Sequence, residues 1–307
     1  MEQANGTAAA EAPGAPGSYA VLDAPSVLGL RPTGVERLPA ALRAAGLLEG
    51  LGASDAGVVP APPYDARRDP ATGMLNPDAL ASYVRRLADA VGPLLARGHV
   101  PVVLGGDCSI LLGPALAMRR AGHYGLVYLD GHADFYSPAT STTGEAADMA
   151  LALTTGHGPA LLTDVEGRGP LVRETDAALL GYRDGEEAAR DGSPDVQASA
   201  IHARDETGVR AAGPAPAARH AAAHALRGGA AGLWVHLDAD VLDDAVMPAV
   251  DYRLPGGLRP AELVTILQEL RATGRLVGIT VTIFNPALDP GGHLSRELVS
   301  ILTAGLT

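Results

Sequence analysis

Short apolar runs of strand length recur along the chain, and each stops abruptly at a turn rich in glycine or aspartate. Val100–Leu104 stops at Gly105-Gly106, Gly125–Leu129 at Asp130, Ala177–Leu180 at Gly181, and Leu233–Leu237 at Asp238. Tyr19–Leu28 opens the series and Leu276–Ile283 closes it. Between them lie stretches with apolar residues at helical spacing: Leu75–Arg97, which begins at Asn76-Pro77 in the manner of a cap, Ser109–Arg120, Pro260–Thr273 and Leu294–Gly305. Strands that are apolar on every residue need cover on both faces, and parallel strands joined through helices supply it. The pattern predicts an α/β fold of three layers, α/β/α, around a mostly parallel sheet. Pro60–Met74 reads as a loop, and Arg190–Pro216 as polar surface loop with some helix. No internal repeat is visible, so residues 19–307 read as one domain, large enough for a substantial core. Residues 1–18 read as a disordered tail without the charged start or apolar stretch of a signal peptide, which makes the cytoplasm the expected compartment.

Composition removes several chemistries. All 23 basic side chains are arginine, so a phosphate loop built on lysine, a Schiff base and a pyridoxal anchor are excluded. One cysteine, Cys108, leaves no intramolecular disulfide, redox pair or multi-cysteine metal site. A formal charge of −12 and an aromatic content of 4% argue against nucleic acid as a partner. No apolar run approaches the roughly 20 residues that cross a bilayer, so no membrane partner is expected.

The polar residues gather just after the strands, where open α/β sheets place ligands. The turns are Gly105-Gly106-Asp107-Cys108-Ser109, Asp130-Gly131-His132-Ala133-Asp134 and Asp238-Ala239-Asp240. In extended backbone, Asp-x-His-x-Asp and Asp-x-Asp each put alternate side chains on one side. If the strand ends are neighbours, Asp130, His132, Asp134, Asp238 and Asp240 converge as a hard oxygen and nitrogen set suited to Mn²⁺, Mg²⁺ or Zn²⁺. Packed carboxylates repel one another, and divalent ions relieve that repulsion. Two ions about 3.5–4 Å apart share a hydroxide nucleophile at neutral pH. A lone Asp-x-Asp is commonly a turn or cap; the coincidence of the motifs favours a metal centre.

In this order and with these separations, the motifs resemble the arginase/agmatinase (ureohydrolase) superfamily. Phe135–Ser137 with Pro138, Thr142–Gly144, Gly181-Tyr182-Arg183-Asp184 and Asn285-Pro286 extend the resemblance over roughly Val100 to Thr307. It implies an arginase-like fold, often assembled as trimers or hexamers, and a binuclear manganese centre that hydrolyses a C–N bond of a guanidine or related small molecule. By position it implies that Cys108, Asp130, Asp134 and Asp238 hold one ion and Asp130, His132, Asp238 and Asp240 the other. Asp134 would also accept a hydrogen bond from the bridging hydroxide and relay the proton.

Three departures stand against the resemblance. The family usually has histidine where this chain has Cys108, which either ligates as a thiolate, favouring Zn²⁺ or Fe²⁺, or remains a thiol that weakens the site. The glutamate that pairs with a guanidinium aligns with Ile283, which cannot compensate a cation. The proton-shuttling histidine aligns within Thr143–Asp148, which contains none. Glu145 or Asp148 supplies the missing carboxylate, or Asp148 merely caps a helix Met149–Thr154, the reading favoured here. Asp244 replaces a common proline, a change expected to alter a turn. Tyr136, Thr143, Glu145 and Asp184 are candidates for substrate contact, with Glu186 beside the pocket mouth. His236 reads as a residue behind the ligands, and His157, His202, His220 and His224 as solvated. The reaction expected is metal-dependent hydrolysis of a guanidine or amidine compound other than plain arginine. A single-metal amide hydrolase resembling deacetylases, and a metal-binding member without activity, are the alternatives.

Overall fold

The computed structural model describes residues 17–307, so the tail expected over 1–18 lies outside them except for its last two residues. Eight strands form one sheet: β1 (Tyr19–Ala24), β2 (Ser54–Val58), β3 (Val100–Gly105), β4 (Gly125–Leu129), β5 (Ala177–Leu180), β6 (His202–Arg204), β7 (Leu233–Asp238) and β8 (Leu276–Thr282). Their order across the sheet is β2-β1-β3-β8-β7-β4-β5-β6, and every pairing is parallel. Helices Pro77–Ala96 and Leu112–Ala121 pack together, and Pro214–Ala225, Pro260–Ala272 and His293–Leu306 pack in a second row. The result is the three-layer α/β/α architecture that fully apolar strands require. The central strands β3, β4, β5 and β7 are buried along nearly their whole length.

The differences from expectation have local causes. The first strand ends at Ala24 and not at Leu28, because Pro25 cannot donate to a ladder. Asn76 does not cap its helix; its side chain accepts from the Asp65 amide and donates to the Leu28 carbonyl, tying the Pro60–Met74 loop down. The helix expected over Ser109–Arg120 opens with a tight 3₁₀ turn at Cys108–Leu111 and becomes α-helical at Leu112. The sequence pattern predicts neither β2 nor β6. Both are edges, and neither carries an apolar run. His202 lies on β6, half-buried, and His224 is buried with its ring stacked 5.3 Å from that of His202, so neither is simply solvated.

Candidate metal centre

Strands β3, β8, β7 and β4 are neighbours, so the turns that follow them meet at one end of the sheet. The register sets the arrangement: Tyr128 lies beside His236 and Leu129 beside Leu237, which brings Asp130 and Asp238 out side by side. His236, Asp238 and Asp240 alternate along β7 and its continuation.

After β3, Gly106 admits no side chain, since a Cβ there would overlap the Ser26 carbonyl. Asp107 caps the turn that follows, accepting from the Ser109 amide at 3.0 Å, the Gly29 amide at 3.2 Å and the Ser109 hydroxyl. Burial pushes its carboxyl up to about 6 against these donors. The Gly-Gly-Asp-x-Ser segment is thus a structural turn that presents Cys108. The Cys108 Sγ is buried, 2.8 Å from Asp238 Oδ2 and 3.3 Å from Thr282 Oγ1. Burial, reinforced by Asp238, Asp134 and Asp130, raises its pKa well above the ordinary thiol value, so without a cation it holds its proton.

After β4, Asp130 Oδ1 accepts from the His132 amide at 2.6 Å, and the Gly131 amide donates to Asp240 Oδ1 at 2.8 Å. His132 Nδ1 meets Asp240 Oδ2 at 2.8 Å. Burial opposes both charges, yet each sustains the other: Asp240 helps to hold the imidazole up at about 10, and His132 helps to hold Asp240 down at about 2. Asp134 adopts a left-handed backbone, φ 47°, and its Oδ2 accepts the Tyr128 hydroxyl at 2.5 Å. Burial and mutual repulsion drive Asp130, Asp134 and Asp238 well above the usual carboxylate range.

Two donor groups result. Cys108, Asp130, His236 and Asp238 bring ligand atoms within 4.8 Å of one another, as do Asp130, His132 and Asp240. The expected ligands therefore converge with two differences: Asp134 stands outside both groups, and His236, read from sequence as a residue behind the ligands, stands inside one. The signal that could have placed it was its alternation with Asp238 and Asp240. Divalent ions fit this cradle. Asp130 Oδ2 and His236 Nδ1 are buried without hydrogen-bond partners, and the burial and mutual repulsion that raise the packed carboxyls are what a cation relieves.

A cavity of about 230 Å³ opens over the centre. Tyr136, Thr143, Glu145 and Asp184, all expected at the substrate, line it. Asp184 is held by the Ala133 amide at 3.1 Å, and the Tyr136 hydroxyl donates to Asp191 at 3.1 Å. Glu186 points elsewhere; Glu187 and Asp191, one helical turn apart, line the mouth with Asp251. Arg253 is the one arginine among the described lining residues. Asp244 holds it at 3.1 Å, a larger consequence than the turn change expected of that position. Glu145 Oε2 accepts the Tyr252 hydroxyl at 2.7 Å, and Oε1 lies 3.3 Å from Arg31, so this carboxylate is already paired. Asp148 is not a helix cap: the helix begins at Ala150, and the carboxylate instead takes the hydroxyls of Ser141 at 2.7 Å and Thr143 at 3.3 Å. Burial pushes Asp148 up to about 7. Ile283 lines the wall in a left-handed conformation, φ 66°, unusual for a β-branched residue.

Comparison with known proteins places these features in a family. The model of the family described as "Arginase family" matches residues 18–306. An arginase from Staphylococcus aureus (strain COL) is 26% identical over 294 residues, covering 92% of this chain and 94% of its own length. The solved arginase of Bacillus caldovelox superposes with a TM-score of 0.83 at 25% identity, covering 94% of this chain and 98% of that one. The proclavaminate amidino hydrolase of Streptomyces clavuligerus has the same fold, with a TM-score of 0.66 at 21% identity over 96% of this chain and 92% of that one.

Proposed function

The chain belongs to the arginase family, and on that premise we propose that it is a metal-dependent hydrolase of a guanidine or amidine compound other than arginine. The observation that carries the substrate reading is Ile283 in the pocket wall, facing a cavity lined by the buried Asp184 and, towards its mouth, by Glu187, Asp191 and Asp251. The acidic mouth favours a substrate that is cationic away from the bond to be cleaved, while the apolar wall withholds a carboxylate from the reacting group. The strand ends would hold two divalent ions per chain, manganese suiting the Asp130, His132 and Asp240 side. Bound there, the ions would supply an acidified water and a positive field for the charge that develops at the attacked carbon.

The protein groups do the rest. Tyr128 takes Oδ2 of Asp134, leaving Oδ1 to accept the proton of the attacking water and pass it to the departing nitrogen. Asp148, titrating at about 7, holds and releases a proton at the pH where the resemblance assigns that work to a histidine. Arg183 braces the turn after β7 by donating to the carbonyls of Asp240 and Leu254, at 2.8 and 3.1 Å.

The test is metal analysis followed by turnover of a panel of guanidine, amidine, ureido and acyl-amine compounds. Two ions per chain and release of urea or a related amide product are expected. One ion with acyl-amine cleavage would favour the deacetylase-like alternative, and full loading without turnover the inactive one.

A further inference from the structure

The geometry points to His236 as a metal ligand, completing with Cys108, Asp130 and Asp238 a four-donor position for a borderline-soft divalent ion such as Zn²⁺, from which Asp134 is excluded. This inference rests on the metal-dependent reading above and goes beyond it, because it changes which residues hold one ion and which ion they prefer.

Four observations carry it. First, the four donor atoms lie within 4.8 Å of one another. Tetrahedral ligands about 2.0–2.3 Å from one ion are about 3.3–3.8 Å apart, so shifts of up to about 1 Å, shared among the four side chains, close the set on a cation. Second, His236 is fully buried, yet its imidazole is poorly satisfied: Nδ1 has no partner, and Nε2 has only the Thr282 hydroxyl at 3.4 Å. A buried ring nitrogen without a partner is costly, and the buried Asp130 Oδ2 in the same group is orphaned too. A cation in this group gives an under-bonded imidazole and carboxylate a partner.

Third, the ring is held in place by its neighbours across the sheet. It stacks on Tyr128 with centroids 4.2 Å apart and planes 18° from parallel. The Thr282 hydroxyl, 3.3 Å from Cys108 Sγ and 3.4 Å from His236 Nε2, sits between the two donors. The same Tyr128 whose face seats the imidazole donates its hydroxyl to Asp134, turning that carboxylate out of the group. Fourth, the donor chemistry is coherent. One sulfur, one imidazole nitrogen and two carboxylates match the Cys, His and Asp ligation of Zn²⁺, whereas Asp130, His132 and Asp240 offer only oxygen and nitrogen. The imidazole that the family resemblance places at position 108 is supplied here from β7, on the far side of β8.

Purified full-length protein, stripped with a chelator and reloaded with Zn²⁺ or Co²⁺, tests this. X-ray absorption of the Zn²⁺ form should show two imidazole nitrogens and one sulfur per pair of ions. The Co²⁺ form should show a thiolate-to-cobalt charge-transfer band. In His236→Ala, and in the bulkier His236→Gln, this position should lose Co²⁺ affinity roughly 100-fold or more. The charge-transfer band should disappear with it, although Cys108 is still present. His132→Ala should lose the other ion and keep the band. An intact band and unchanged metal content in folded His236 variants would overturn the assignment while leaving the metal-dependent reading in place. A single imidazole in the wild-type absorption spectrum would do the same even if both variants failed to fold. Absence of any metal uptake by the wild type would overturn both.

Discussion

The two donor groups at the strand ends share Asp130 but differ in their other donors and in the charge those donors carry. The His132 group is a charged couple of imidazolium and carboxylate, beside the cavity and built from oxygen and nitrogen. The Cys108 group is packed among the ends of β3, β4, β7 and β8, reaches the same cavity through Cys108 and Asp238, holds the thiol proton, and adds a sulfur and a neutral imidazole that burial keeps at about 3. One end of the sheet thus provides two cation environments of different hardness. The difference comes from which residues alternate into the space and not from any change of fold. It implies that a cation entering the first group displaces a proton from His132, and one entering the second displaces the thiol proton, so uptake at both strengthens as pH rises.

The strongest way to break this comparison is to remove what the groups share. Asp130→Asn should empty both positions and lower kcat/KM by roughly 1,000-fold or more, several kcal/mol of transition-state stabilisation, measured with metal content on the same sample. If one ion stayed in place, the groups would not share Asp130. Cys108→His sharpens the contrast by hardening one side alone: manganese should replace zinc as the preferred ion there, with affinity for Mn²⁺ rising roughly 10-fold or more in competition titrations.

Stability against pH distinguishes the empty from the loaded centre. Unfolded, Asp130, Asp134 and Asp238 titrate near about 4; folded without cations, their values are raised well above that by burial and mutual repulsion. The folded chain therefore binds more protons than the unfolded chain across that window, and its stability falls as pH rises through it. Chelator-treated protein should lose several degrees of Tm as pH rises above about 4, and loading with divalent ions should reverse the trend; a Tm independent of pH in the chelated protein would contradict it. A smaller effect is expected outside both groups. Asp148, near 7, should act while protonated, so turnover falls as pH rises through that value. Asp148→Asn should flatten that limb and lower kcat by roughly 10- to 100-fold; an unchanged profile would remove Asp148 from proton transfer.

Much of this molecule is legible from spacing alone. Fully apolar runs such as Leu233–Leu237 have no stable place except between two helical layers, and all four runs between the first and the last are strands. The edges β2 and β6 were illegible because an edge strand is half-solvated and needs no apolar signature. At the site, alternation in the turns was enough to bring Asp130, His132, Asp238 and Asp240 together, since side-chain direction in extended backbone has a fixed period. Tertiary structure decided three further matters. It set His236 among the donors, because only the β4–β7–β8 register shows which residues it faces. It turned Asp134 toward Tyr128, through a left-handed backbone that no spacing rule foretells. It gave Asp148 to two hydroxyls instead of a helix end. The sequence by itself determined the layers and the residues able to bind metal, because burial and periodicity are local properties. Which of those residues share an ion depends on distances across strands far apart in the chain, and these exist only once the sheet has formed.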